Sequence, residues 1–305
     1  MRNHSPLSNT ISYQTGTTII TGADYHHFQY DEGNTNTSTH LSPGHLDLST
    51  SAVFTSCEWK QCSAIEGGAI YIATTNIELE VDKSLFLLCV ASSRGGGIFA
   101  QSSSSVSVQE SFFHSCQSKT TNLSYGGGGM SLYSISTQIQ IAFSTVYYCT
   151  AQCDGGALDI FTFTPLQTNC PAFYACRFVQ CVISSDDWCE GGALLLWQTG
   201  LLKRCNTIFV RNEGWAGGAC GTNCVSCKPN YQMYFCFFHM NKALLGNDIY
   251  FDSALSDSPL LHCFSTTEDQ RICYRDGDYK YDKDNWLPMG TSYVKFPIGQ
   301  EQNIL

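Results

Sequence analysis

Three groups of residues in this chain have side chains that could do chemistry. Cys220, Cys224 and Cys227 form a Cys-x3-Cys-x2-Cys run, which supplies three of the four ligands a structural zinc ion takes. With no fourth ligand placed by spacing, loop thiols or a local disulfide are the simpler reading. Asp186-Asp187 is the only adjacent Asp pair, and paired carboxylates are what acid–base hydrolysis of a glycosidic bond uses. Neither a Gly-His-Gly nor an Arg-x-Lys accompanies it. His26, His27, His40 and His45 lie at irregular intervals in a polar stretch, the setting of ordinary surface histidines. The sequence therefore assigns no catalytic residue, no cofactor and no metal.

The elements that would have to hold such groups are set by an internal repeat. Its first column is a glycine pair followed by apolar residues: Gly67-Gly68, Gly95-Gly96, Gly127-Gly128, Gly155-Gly156, Gly191-Gly192, Gly217-Gly218 and a degenerate Gly246-Asn247. Successive copies are 28, 32, 28, 36, 26 and 29 residues apart. Its second column is an aromatic-x-x-Cys or aromatic-x-x-Asn element, read as Phe54-x-x-Cys57, Phe86-x-x-Cys89, Phe113-x-x-Cys116, Val146-x-x-Cys149, Phe178-x-x-Cys181, Phe209-x-x-Asn212 and Phe238-x-x-Asn241.

After each glycine pair, apolar side chains alternate with mixed ones, as in Ile70 and Ile72 around Tyr71, or Leu158 and Ile160 around Asp159. Period two with one apolar face predicts a half-buried strand. A second strand ends at the aromatic column, and a third lies five to seven residues earlier, at Leu79/Val81, Val106/Val108 and Ile139/Ile141. Three short strands cannot close a core alone. They can if each unit is one coil of a parallel β-helix, so that every apolar column becomes a ladder inside the cylinder. The expectation is an all-β, right-handed parallel β-helix of about seven coils over residues 51–251. A polar leader and N-terminal cap fill residues 1–50, and a C-terminal cap and tail fill residues 252–305. The glycines serve its corners, where positive φ and close backbone approach are needed; no Lys-Ser/Thr follows them as in a phosphate loop.

Seventeen cysteines would suggest a disulfide framework in a secreted chain. Five of them, Cys57, Cys89, Cys116, Cys149 and Cys181, share one column with Asn212 and Asn241. A site that accepts Cys or Asn reads as a turn ladder of packed thiols and amides. Cys62, Cys153, Cys170 and Cys189 lie between strands, and Cys263 with Cys273 could pair across the tail. The net charge of −10 argues against nucleic acid and anionic membranes as partners. No apolar run reaches the roughly 18 residues of a spanning helix. Met1 to Ile20 lacks the basic start and apolar stretch of a signal peptide. An internal protein, unconventional export, or a fragment or misassigned start is expected. Sequons at Asn3, Asn36 and Asn122 matter only after export.

Gly-Gly-Ala-Ile paired with Phe-x-x-Asn or Phe-x-x-Cys, over residues 50 to about 290, resembles the repeats of the polymorphic outer membrane protein family. The prevalence of Cys at the Asn position and the Cys263-Phe264-Ser265 tail resemble its protist-type members. The resemblance implies a right-handed β-helix displayed at a cell surface, and an adhesive role. Parallel β-helices also carry polysaccharide lyases and hydrolases. Here Glu78, Glu80, Asp82 and Lys83 cluster in a pattern that strand alternation explains as a solvated face. The function expected is therefore non-enzymatic binding of a protein or glycan at a cell surface. The alternatives are a polysaccharide-modifying enzyme and a structural scaffold without ligand. Insertions at 58–66, 117–126 and 182–190 are expected to stack on one edge and to present Trp59, Tyr125 and Trp188 as the binding surface.

Overall fold

A computed structural model describes residues 10–14, 17–21, 24–26, 46–48, 50–102, 105–120, 126–135, 138–161, 172–185, 189–197, 201–223, 230–251, 260–265 and 272–274. Among the described residues all of the regular structure is β, and almost every strand pairing is parallel between successive coils. The chain is a parallel β-helix. In one coil, Glu78–Asp82 forms the first strand, Leu85–Leu87 the second, Val90–Ala91 a short third, and Ile98–Gln101 the fourth, after the glycine corner. Each pairs with its equivalent one coil on, at Ser105–Gln109, Phe112–His114, Gln117–Ser118 and Met130–Tyr133.

The coil count is smaller than the glycine column suggests. The short third strand has five rungs, from Ser63–Ala64 to Val182–Ile183, so five coils carry strands on every side. In the next two coils single bridges at Glu213 and Lys242 take its place. The glycine corner persists there because it turns the chain whether or not a strand precedes it. Strands of the same sheets also lie outside residues 51–251. Thr17–Thr21, Asp24–His26 and Leu46–Leu48 stack before the first full coil, and Leu260–Ser265 and Ile272–Tyr274 after the last glycine corner. Thr10–Gln14 adds an antiparallel strand at the N-terminal end.

The interior is built from columns. Trp59 stacks on Phe86 at 4.5 Å, and Phe86 on Phe113 at 4.3 Å; Val146 interrupts, and Phe178, Phe209 and Phe238 resume at 5.1 Å spacings. Every ring in the column is buried, each contributing roughly 1.5–3 kcal/mol by leaving water. The ring spacing follows the strand repeat of about 4.8 Å, so one-coil periodicity in the sequence produces a continuous aromatic stack.

Two corners between strands use non-glycine residues with positive φ. Ser56, Lys83, Glu110, Phe143, Ala175, Asn206 and Phe235 form one such column, and Gln61, Leu88, Ser115, Tyr148, Gln180, Arg211 and Met240 the other. Each turn buries backbone amides that need partners. After the first corner, the Ser84 hydroxyl accepts from Cys57 N–H at 3.1 Å and donates to the Asp82 carbonyl at 2.8 Å; Ser111 and Ser144 repeat the pattern. That is why a small polar residue holds this inward position in an otherwise apolar core. At the third corner Gly67 takes φ +58°, and a Cβ on Gly68 would run into the Gly96 carbonyl of the next coil. The two glycines thus have different causes, conformation for one and close approach for the other.

Candidate functional site

The structure reassigns the first coil. Trp59, expected in an exposed insertion, is fully buried on the strand Glu58–Lys60 and belongs to the inner ring column. The repeat element of this coil is Trp59-x-x-Cys62, five residues beyond Phe54-x-x-Cys57. Phe54 instead lies inside the preceding strand, opposite Val81. Cys57 accordingly leaves the turn ladder and joins Ser84, Ser111 and Ser144 at the first corner, while Cys62 takes its place beside Cys89. Residues 58–60 are therefore core strand, not insertion. Tyr125 and Trp188 lie outside the described residues, as do Asp186, Asp187, Cys224, Cys227, His27, His40 and His45. His26 is described in its backbone alone, on the strand Asp24–His26.

The ladder itself is buried, and Cys89, Cys116, Cys149 and Cys181 in it form no disulfide. Cys89, Cys116 and Cys181 each approach two backbone carbonyls, one in their own coil and one in the coil before, at 3.5–3.8 Å. Burial pushes the Cys181 thiol up to about 12, and at the first corner Cys176 up to about 11. Toward the C-terminal end amides replace thiols. Asn212 Oδ1 accepts from Cys181 N–H at 2.9 Å, Asn241 Oδ1 accepts from Asn212 N–H at 3.0 Å, and Asn241 donates to Asp248, which Ser265 also reaches at 2.6 Å. Cys220 is buried in the strand that follows the glycine corner, inside the core cluster.

An aromatic surface that sequence reading missed lies on the outside of the second strand and its corners. Phe112, His114 and Tyr147 point outward from consecutive coils, with His114 5.4 Å from Tyr147 and 5.9 Å from Phe112. Tyr148, at the corner beyond Tyr147, packs against it at 4.2 Å and remains 43% exposed. The Tyr148 contact, followed by desolvation, raises the Tyr147 hydroxyl above its ordinary value. Leu88 extends the surface along one corner, 45% exposed. Phe143 and Tyr174, 5.2 Å apart and about half exposed, extend it along the other. The signal was present in Phe112-Phe113-His114 and Val146-Tyr147-Tyr148, where large side chains flank an inward one.

Nothing in the fold requires bulk at these corners. The same positive-φ columns take Ser56, Lys83 and Glu110 in one case and Gln61, Ser115 and Gln180 in the other. A large side chain in left-handed backbone is uncommon, and exposing it forfeits burial, so Phe143, Tyr148 and Leu88 stabilise nothing the polar residues could not. The adjoining outer face of the first strand differs. Glu78, Glu80, Ser105, Ser107, Gln138 and Gln140 line it, and Lys83 pairs with Asp82 at 3.0 Å. It is the solvated strand face that alternation predicted.

A second cluster lies just before the glycine corners, where successive coils place Glu66, Arg94, Gly126, Asp154 and Glu190 in one column. Arg94 donates to Glu66 at 2.6 and 2.9 Å and covers the Phe99 and Tyr133 rings. Two coils further on, Cys153 and Cys189 form a disulfide across adjacent rungs, Cα atoms 5.2 Å apart. Asp154 is 2% exposed and accepts from Glu190 N–H at 3.1 Å. Asp159, buried below it, accepts from the Gly126 amide. Desolvation lifts the Asp154 carboxyl to about 7; it also lifts Asp159 well above the carboxylate range, with the charge of Asp154 adding to the effect.

Among the described residues no helix is long and apolar enough to cross a membrane. In comparisons with known proteins, no family model, no curated protein and no solved structure matches this chain.

Proposed function

We propose that this β-helix is a non-enzymatic binding protein, that the outer aromatic face around Phe112, His114, Tyr147 and Tyr148 receives its ligand, and that the ligand is a cell-surface glycan. The observation that carries the reading is the bulk at corners that accept polar residues equally well, at Phe143, Tyr148 and Leu88. Exposed aromatic rings are retained where contact with a ligand repays them. Rings on consecutive rungs, about 4.8 Å apart, advance at close to the repeat of an extended sugar chain. Phenol and imidazole groups at their rims can hydrogen-bond hydroxyls. The resemblance of the repeat to polymorphic outer membrane proteins supports placement at a cell surface and a part in adhesion.

The test uses substitutions that the corner columns already tolerate. Tyr148→Gln copies Gln61 and Gln180, and Phe143→Glu copies Glu110, so the fold should be unaffected. The full chain is presented to an immobilised oligosaccharide panel and to intact cells. Binding to sugars that drops tenfold or more in the double variant supports the proposal. Cell binding that survives periodate oxidation of the glycans and is lost on protease treatment would instead mark a protein ligand. Binding the variant does not weaken, or none at all, leaves a scaffold. Antibody against residues 117–126, applied to intact and permeabilised cells, checks the compartment independently.

A further inference from the structure

The cluster of Cys153, Asp154 and Cys189 belongs to neither the core ladders nor the aromatic face. Its three potential ligand atoms, two Sγ and one carboxylate oxygen, lie within 4.8 Å of one another, and all three residues are buried. Cys153 Sγ is 3.5 Å from Asp154 Oδ1. Two further observations point to a cation. Asp154 Oδ2 and Asp159 Oδ1 are buried oxygens with no hydrogen-bond partner, a costly arrangement that native structures seldom leave unresolved. In the same column, the charge of Glu66 is met by Arg94, whereas Asp154 and Glu190 follow one another on adjacent coils. Two acids in sequence, with a third close by at Asp159, gather carboxyl oxygens where the fold brings two thiols.

We propose that, with the Cys153–Cys189 bridge reduced, Cys153, Cys189 and Asp154 bind a divalent zinc-type cation, and that this corner exchanges a disulfide for a metal site according to the surrounding redox state. Two thiolates and a carboxylate are ligands that zinc takes in tetrahedral sites, leaving one position for water or another oxygen. Reduction by a dithiol transfers two electrons and two protons to the bridge, giving two thiols and oxidising the dithiol to its own disulfide. Metal binding then releases the two thiol protons to solvent. In the oxidised chain the bridge ties one coil to the next; in the reduced chain the ion makes the same tie and gives the Asp154 carboxylate its partner. Cys89, Cys116, Cys149, Cys176 and Cys181 are free thiols buried in the fold, and an environment that keeps thiols reduced would also open this bridge.

Cobalt is a suitable probe, because thiolate coordination gives it a near-ultraviolet charge-transfer band and tetrahedral geometry gives it intense visible bands. The full chain is denatured, reduced with a phosphine, refolded with Co²⁺ present, and checked by mass spectrometry for loss of the bridge. One equivalent of Co²⁺ per chain is expected, with both band sets, displaced stoichiometrically by Zn²⁺. The double variant Cys153→Ser/Cys189→Ser should lose the charge-transfer band. Asp154→Asn, which retains both thiols, should keep that band and bind Co²⁺ on the order of tenfold more weakly or worse. Cys116→Ala, in the turn ladder, should leave the spectrum unchanged. Absence of the bands in folded, fully reduced protein would overturn the proposal. So would bands that survive the double serine variant, or an Asp154→Asn affinity equal to that of the parent.

Discussion

Phe112 and Phe113 are neighbours on one strand, and they have opposite fates. Phe113 points inward and lies 4.3 Å from Phe86 in a stack that runs through several coils. Phe112 points outward, toward His114 and the Tyr147–Tyr148 pair. The inner rings are confined by periodicity, because each must sit on the ring of the coil before it. The outer rings are under no such constraint, and other coils place Glu58, Lys60 and Arg177, as well as Leu85, Leu87 and Thr145, at equivalent positions. Where the fold imposes no requirement, the choice of residue carries information about use.

The contrast is most directly broken from the inside. Phe113→Ala should destabilise the chain by about 3–5 kcal/mol, the cost of a cavity in a packed core. Phe112→Ala should cost less than about 1 kcal/mol. Urea unfolding followed by intrinsic fluorescence compares the two, and equal effects would remove the distinction between inner and outer rings. Asn212→Ala comes next. It strips the acceptor from the Cys181 amide and the donor from the Phe178 carbonyl, so about 1–3 kcal/mol should be lost. Cys116→Ala, whose thiol makes long contacts to carbonyls and to the neighbouring Cys89 and Cys149 thiols, should cost less than Asn212→Ala in the same assay.

The buried thiols give the interior a pH dependence. Cys181 and Cys176 are raised to about 12 and about 11 in the folded chain, against about 8.5 when unfolded. Above pH 8.5 the unfolded chain gives up these protons and the folded chain keeps them. Stability is therefore full below that pH and falls as pH rises toward 11 and 12. At pH 10 the loss should be about 2 kcal/mol per thiol, visible as a lower urea midpoint, and Cys181→Ala should flatten the slope. The smallest effect on stability is expected at the corners. Tyr148→Gln and Phe143→Glu should shift the urea midpoint by no more than about 0.5 kcal/mol equivalent while reducing ligand binding. A stability loss as large as that of Phe113→Ala would mean the corner aromatics are structural.

Much of this could be read from the sequence, because a solenoid writes its core as columns. Val106 and Val108, and Ile139 and Ile141, fell on the inward face that period two assigned them, whereas after the glycine pairs the intervening Phe99, Ser131, Asp159 and Leu195 are buried as fully as their neighbours, so that strand is not the half-buried one expected. The first coil was ambiguous because both Phe54-x-x-Cys57 and Trp59-x-x-Cys62 satisfy the aromatic-x-x-Cys rule. The ring-to-glycine spacing does not separate them: Trp59 precedes Gly67 by eight residues, as Phe209 precedes Gly217, and Phe54 precedes Gly67 by thirteen, as Phe178 precedes Gly191. The aromatic face was harder to see. Outward positions have no periodic signature, since water accepts any side chain there, and the rings concerned come from different coils.

By itself the sequence determined the parallel β-helix, the glycine corner and the thiol and amide ladder, because each depends on the same residue type recurring once per coil. Only the tertiary structure decided that Trp59 is core, that Cys57 turns the first corner, and that Cys153 meets Cys189 beside two buried carboxylates. Those outcomes depend on register, that is, on which residue of one coil lies over which residue of the next. A shift of a few residues leaves the repeat recognisable and changes every contact between coils.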